Sequence, residues 1–222
     1  MNTLITGTAQ GIGFELTKIA LQNGHHVLAI ARSAENSQKL IELKKHSPHL
    51  EIFYCDLSKE GAEKEIHQAA QKFASLDLLI NNAGVYYQGE TREDFEKSFL
   101  INTITPFLMT KELLPLLKKS KAPKAAHISS LMGSITDNLS GGSHAYRSSK
   151  TALNMLMKGL SIEEKWLATL CLHPGWVQTR MGGEAAPVEP IESVKGLWKV
   201  MDDFSLHKSG SFVDFKGKEL PW

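Results

Sequence analysis

Thr6-Gly7-Thr8-Ala9-Gln10-Gly11-Ile12-Gly13 is the stretch whose reading decides the fold. It follows a short apolar run, Thr3–Thr6, and opens a longer segment, Ile12–Asn23. In that segment Phe14, Leu16, Ile19, Ala20 and Leu21 fall near one side of a helix, and Gly24 ends it. The pattern is strand, glycine turn, helix. Gly7 allows the sharp turn, Gly11 has no side chain to hold a phosphate away, and Gly13 lets the helix lie close to the sheet. The helix start offers free N–H groups and the positive end of a dipole to an anion. The spacing is G-x-x-x-G-x-G rather than the commoner G-x-G-x-x-G, and a tight turn that holds nothing would use the same glycines. The surroundings have to decide.

Outward from this turn, apolar runs of strand length alternate with amphipathic ones. Val27–Ile30, Ile52–Cys55, Leu76–Ile80, Ala125–Ser129, Leu167–Leu172 and Ser211–Phe215 read as strands. Helices are expected over Ala34–His46, Ser58–Phe73, Ala145–Ser161 and Ser193–Met201. A long helical region from Arg92 to about Lys119 starts at a Thr91/Asp94 cap, with breaks expected near Pro106 and Pro115. Strand and helix alternating in this way predicts parallel strands with right-handed crossovers: an α/β single-domain, Rossmann-type doubly wound sheet over residues 1–222. Continuous apolar strands fit a sheet covered on both faces.

Composition narrows the class. The chain has 222 residues, 42% hydrophobic and 22% charged, with a formal net charge of +1. That balance gives no reason to expect nucleic acid or an anionic membrane as partner. Cys55 and Cys171 sit in apolar runs and read as buried free thiols, and no Cys/His cluster points to a metal. No signal-like leader and no apolar run of ~18 residues is seen, so a cytoplasmic protein is expected. The sequon Asn138-Leu139-Ser140 reads as chance.

Candidate site residues gather at strand ends, where open parallel sheets bind ligands. Asp56 ends the third strand, Asn81-Asn82-Ala83-Gly84 the fourth, and Pro174-Gly175 the sixth. Tyr146 and Lys150 stand one helical turn apart. A fixed ammonium beside a phenol favours the phenolate, so Lys150 is expected to lower the Tyr146 pKa from ~10 towards neutrality. Such a phenol can give a proton to a carbonyl or take one from an alcohol. The same pair also reads as an ordinary amphipathic surface pair. Ser130 could hydrogen-bond a developing alkoxide or simply cap a turn. Asn102, in an apolar helical stretch, needs partners. It either ties down the kink near Pro106 or holds a water beside Lys150. The second strand bears on the cofactor. NAD-specific sites commonly end it with a carboxylate for the ribose 2′-OH. Here Ala31 stands at that position and Arg32 follows, which favours the 2′-phosphate of NADP(H) over NAD(H). Gln10, an uncharged residue in the glycine turn, argues the other way.

The ordered set Thr6–Gly13, Asn81–Gly84, Asn102, Ser130, Tyr146-x-x-x-Lys150 and Pro174-Gly175 resembles the short-chain dehydrogenase/reductase family across nearly the whole chain. Ile128–Ile135, Tyr146–Lys150, His173–Gly183 and the ending Gly217–Trp222 are closer still to sniffer-type carbonyl reductases and the cell-contact signalling factor group. The resemblance implies a seven-stranded sheet, Tyr146 as acid/base, Lys150 as its tuner and ribose ligand, Ser130 orienting the substrate oxygen, and Asn102 holding a relay water. It implies cofactor contacts at Gly7, Gln10, Gly11, Ile12, Arg32, Asp56, Leu57, Asn82, Ala83, Gly84, Tyr146, Lys150, Pro174, Gly175, Val177 and Thr179. It makes residues 175–195 the substrate loop. The Ser130–Tyr146 interval is longer than usual, which keeps Ser134 as a second candidate, and Arg180 stands where relatives are often acidic. The expected activity is hydride transfer between a nicotinamide and a small-molecule carbonyl or alcohol. A dinucleotide-binding signalling or regulatory protein is the alternative, and a sugar epimerase or dehydratase fits this length poorly. A homodimer through the helices carrying Leu113, Leu114, Leu116, Leu117, Leu153 and Leu156 stands against burial of these leucines within one chain.

Overall fold

The computed structural model describes residues 1–222. Seven strands form one parallel sheet in the order β3-β2-β1-β4-β5-β6-β7. They are β1 (Asn2–Thr6), β2 (His26–Ala31), β3 (Leu50–Tyr54), β4 (Leu78–Asn81), β5 (Lys124–Ile128), β6 (Ala168–His173) and β7 (Ser211–Asp214). The strand order reverses between β1 and β4, so a crevice opens there at the carboxyl edge. Six of the helices are α1 (Gly11–Gln22), α2 (Gln38–Lys45), α3 (Ala62–Ala70), α5 (Thr105–Leu117), α6 (His144–Glu163) and α7 (Pro190–Asp203). They cover the two faces of the sheet, as a doubly wound fold requires.

Each face has its own core. On one, Leu16 and Ala20 of α1 and Val194, Leu197 and Met201 of α7 pack on Ile5, Ala29, Ile80 and Leu170. On the other, Ile66 of α3 and Met109, Leu113, Leu116 and Leu117 of α5 pack on Leu4, Leu28 and Leu79. Leu153 joins Met157, Leu160, Cys171 and Phe212. Four of the six leucines considered for a dimer face are therefore core residues of one chain, and Leu114 and Leu156 are half-buried. The large apolar side chains these helices leave exposed are Ile104, Leu108, Met155 and Ile162.

Several boundaries move from their sequence-based positions, among them the start of α2, at Gln38 rather than Ala34, and three show their physical reason. The α3 helix starts at Ala62, not Ser58, because Asp56 and Ser58 close a turn first: Asp56 Oδ1 accepts from the Ser58 N–H (3.0 Å) and hydroxyl (2.8 Å). The α7 helix starts at Pro190, where a proline lacks only an N–H that the first turn leaves unpaired anyway. Ser193, expected to begin that helix, is buried inside it and donates to the Pro174 carbonyl at 2.6 Å. The long region after Thr91 is two helices. Helix α4 (Arg92–Phe99) begins at the predicted Thr91/Asp94 capping box and runs into a π-helical turn at Leu100–Ile104, after which α5 begins. Pro106 has no N–H to return to the Asn102 carbonyl, so the regular ladder fails just before it. Pro115 lies inside α5 without ending it.

Candidate active site

Glycine geometry builds the β1–α1 turn. A side chain at Gly7 would bring its Cβ within 2.8 Å of the Ala83 backbone, and one at Gly13 would collide with the Gly7 carbonyl oxygen and the Asn82 amide. At Gly11 a Cβ would meet only Thr179, at 3.4 Å, so space is left above the start of α1. Gln10 precedes that helix and makes no side-chain cap, which leaves the first-turn N–H groups facing the space. Thr6, at the end of β1, and Asn82, just past the neighbouring β4, lock the turn. Thr6 Oγ1 accepts from the Asn82 and Ala83 N–H groups at 3.0 and 3.1 Å. The Asn82 amide donates to the carbonyls of Thr6 and Gly7 at 2.9 and 3.1 Å. The same turn thus has room and free donors for a pyrophosphate; a dinucleotide fits it. The Ser58 N–H chiefly holds the Asp56 carboxylate below the ordinary range against burial, the Ser58 hydroxyl and Lys59 add to it, and Arg32, exposed just past β2, adds least. The Leu57 carbonyl accepts from Thr105 Oγ1 at 3.1 Å, which ties the β3 end to α5.

The second part of the site lies past β4, β5 and β6. Asn102, in the π-helical turn, is fully buried and grips one residue at both ends. Its Oδ1 accepts from the Val85 N–H at 2.8 Å, and its Nδ2 donates to the Val85 carbonyl at 2.9 Å and to Ser149 Oγ at 3.0 Å. Gly84 must be small because a Cβ there would sit 3.3 Å from Asn102 Oδ1 and 3.6 Å from Lys150 Nζ. Lys150 is buried and donates to the Ile128 carbonyl at 2.8 Å. Ser130 caps a short 3-10 turn, Leu131–Gly133, accepting from the Met132 N–H at 3.1 Å, and its hydroxyl also faces Tyr146. The capping reading and the substrate-facing one hold together. Ser134, the alternative, is engaged elsewhere: it donates to the Trp222 main-chain oxygen at 3.2 Å and accepts from the Asp137 N–H.

The electrostatics correct the expectation that Lys150 draws the phenol towards neutrality. Tyr146 is pushed up to about 12, chiefly by burial; the Ser130 contact opposes the shift and Tyr86 adds to it. Lys150 is pushed down to about 8, again by burial. Its ammonium donates to Ile128 and stands 5.9 Å from the Tyr146 ring centre, and burial sets the direction of both shifts. A phenol held this high keeps its proton at neutral pH and is a weaker acid than a free phenol, so burial alone does not tune it for catalysis.

Past β6, Gly175 turns with φ 85° against the Phe215 ring. Residues 176–188 then fold back on themselves. The Gln178 N–H donates to the Val188 carbonyl at 2.9 Å and the Val188 N–H to the Trp176 carbonyl at 3.1 Å. Trp176 Nε1 donates to the Gly182 carbonyl at 2.7 Å. Val177 is buried, and Thr179 lies against Gly11, across the crevice. Every site residue expected from sequence therefore stands at the carboxyl edge or on a helix beside it. The residues missed are Tyr86 and Ser143; Thr6 and Ser149 lie inside the quoted segments Thr6–Gly13 and Tyr146–Lys150 but were given no role of their own. A cavity of about 440 Å³ lies elsewhere, between α7 and β7, and borders none of these residues.

Known proteins match this arrangement. The family model for short chain dehydrogenases covers residues 1–189, and the chain belongs to that family: it is an oxidoreductase acting between C=O and CH–OH. Within the family it is similar to the C-signal of Myxococcus xanthus, 41% identical over 154 residues, or 66% of this chain and 93% of that one. The carbonyl reductase Sniffer of Drosophila melanogaster superposes with a TM-score of 0.94 at 31% identity, covering 100% of this chain and 99% of that one. An NADPH-bound carbonyl reductase from chicken fatty liver gives 0.92 at 33% identity, covering 100% and 98%.

Proposed function

We propose that the protein is an NADP(H)-dependent carbonyl reductase in which Tyr146 gives a proton to the substrate oxygen. The carrying observation is the buried Tyr146 phenol beside Ser130, one helical turn from a buried Lys150, at the same sheet edge as a glycine turn shaped for a dinucleotide. The nicotinamide supplies or accepts the hydride when bound. The chain's own residues do the rest. The β1–α1 turn and α1 hold the pyrophosphate through backbone N–H groups. Arg32 would hold the 2′-phosphate, and Asp56 and Leu57 the adenine. Asn82, Ala83, Gly84, Pro174, Gly175, Val177 and Thr179 wall the crevice. Ser130 orients the substrate oxygen, and Lys150 bonds the ribose and eases proton movement at the Tyr146 oxygen. Asn102 acts through Val85, since its amide is already committed there.

Residues 175–195 are the substrate segment in this reading. Ile135 and Leu139 past β5, and Trp176 and Met181 past β6, leave apolar surface exposed at the same edge. A panel of carbonyls and alcohols, read by nicotinamide absorbance with both cofactors, tests the proposal. Turnover of a carbonyl with NADPH supports it, and no turnover of any substrate with tight dinucleotide binding would favour the signalling reading. A cytoplasmic location belongs to the same proposal, supported by two free buried thiols; no helix is long and apolar enough to cross a membrane. A homodimer would have to use Ile104, Leu108, Met155 and Ile162 rather than the buried leucines, and light scattering at working concentration decides it.

A further inference from the structure

We infer that Tyr86 is a positioning residue for Tyr146, acting through Ser143, so that the loop after β4 and the start of α6 are latched as one unit; this rests on Tyr146 being the acid/base.

Tyr86 lies two residues past Gly84, outside every motif the sequence displays. Its ring meets the Tyr146 ring edge-on, with centroids 4.8 Å apart and planes at 89°. Its hydroxyl is 2.9 Å from Ser143 Oγ. Ser143 immediately precedes α6 and is the sole non-glycine residue with positive φ, at 49°. Side chains with a Cβ rarely adopt that conformation, so the surroundings must hold it. From the helix side, Arg147 Nε reaches the Gly141 and Gly142 carbonyls at 3.1 Å each, and its Nη2 reaches Ser140 Oγ at 2.9 Å. From the loop side, Tyr86 holds Ser143 itself, and Glu90 pairs with His144. One residue before Tyr86, Val85 is gripped by Asn102 through both its N–H and its carbonyl. Tyr86 therefore has little freedom to slide, and its ring forms one wall of the Tyr146 pocket.

The chemistry needs this wall. A general acid must bring its oxygen within hydrogen-bond reach of the atom it protonates, and a small tilt of the ring loses that reach. Ser130 restrains the phenol oxygen but not the plane of the ring. Tyr86 restrains the plane and keeps water off it. Around the phenol stand the Ser130 hydroxyl, the Tyr86 ring and the Lys150 ammonium, the last 5.9 Å from the Tyr146 ring centre.

The test uses the whole purified chain, NADPH and the best carbonyl of the panel. Tyr86→Phe keeps the ring and removes the hydroxyl. It should lower kcat by about fivefold, the scale of one hydrogen bond. The KM for NADPH should stay unchanged, and the alkaline limb of the kcat profile should move to lower pH as water reaches the phenol. Ser143→Ala should do the same, and the double variant should be no worse than either single one. Wild-type kcat and pH profile in Tyr86→Phe overturn the inference. So do additive losses in the double variant, or a loss that merely tracks a lower folded fraction with an unmoved profile. Tyr146→Phe separates the two readings. If it still turns over, the acid/base assignment falls; if it is inactive while Tyr86→Phe is wild-type, only the latch falls.

Discussion

The two halves of the carboxyl edge are built differently. The nucleotide half, between β1 and β3, is shaped chiefly by the absence of side chains: Gly7 and Gly13 let backbone meet backbone, and one long-range pair, Thr6 and Asn82, ties the turn to the end of β4. The catalytic half, past β4, β5 and β6, is held by side chains that reach across the fold. Asn102 grips Val85 and Ser149, Lys150 reaches Ile128, and Tyr86 reaches Ser143. The first kind of site tolerates no added atom, and the second tolerates no lost hydrogen bond.

Substitutions can break this contrast, beginning with the largest effect. Tyr146→Phe should leave folding and dinucleotide binding nearly intact and lower kcat by ~10²–10⁴-fold, since only the acid oxygen is lost. Lys150→Ala should weaken NADPH binding more than Tyr146→Phe does, measured as the dissociation constant of each variant; equal affinities would refute the ribose contact.

Next come the two constructions themselves. Gly13→Ala adds one methyl group in the nucleotide half and should destabilise by ~1–3 kcal/mol through overpacking. Asn102→Leu removes three hydrogen bonds in the catalytic half, strands the Val85 N–H and carbonyl, and should cost about as much. Urea unfolding compares them. The contrast sharpens if Gly13→Ala loses cofactor affinity while Asn102→Leu keeps affinity and loses kcat; it fails if both lose the same property.

A smaller effect concerns the nucleotide half alone. Ala31→Asp/Arg32→Ala replaces a guanidinium with a carboxylate at the end of β2. The ratio of kcat/KM for NADPH over NADH should fall by about tenfold or more, the worth of a charge-assisted bond. An unchanged ratio would show that Arg32 is only a solvated charge.

The smallest effect is acid sensitivity in the catalytic half. His127, beneath Lys150, is wholly buried with its pKa near 3, and His173, at the end of β6, sits near 4, both through burial. Each folded value lies below the unfolded value of ~6.5. Their contribution is therefore fully present above pH 6.5 and is lost as pH falls from there towards 4 and 3. A thermal scan should show Tm declining over that window, by at least the ~2–4 °C that one kcal/mol is worth in a chain of this size. His127→Asn should flatten the slope; an unchanged slope would place the acid sensitivity elsewhere.

The sequence by itself determined the strand order's raw material and the nucleotide half. Alternating apolar runs, the glycine spacing and strand-end residues such as Asp56 and Pro174 are local signals, because backbone turns and helix starts depend on neighbours a few residues away. Tyr146 and Lys150 were legible for the same reason, being one helical turn apart. Tertiary structure alone decided what surrounds them. Asn102 lies 17 residues from Val85 and 47 from Ser149, and Tyr86 lies 57 from Ser143. No periodicity links such pairs; they meet only once the sheet is assembled. The phenol's pKa went the same way. A Tyr–Lys spacing announces attraction, but burial, which depends on every element packed around the pair, sets the direction and pushes the Tyr146 phenol up.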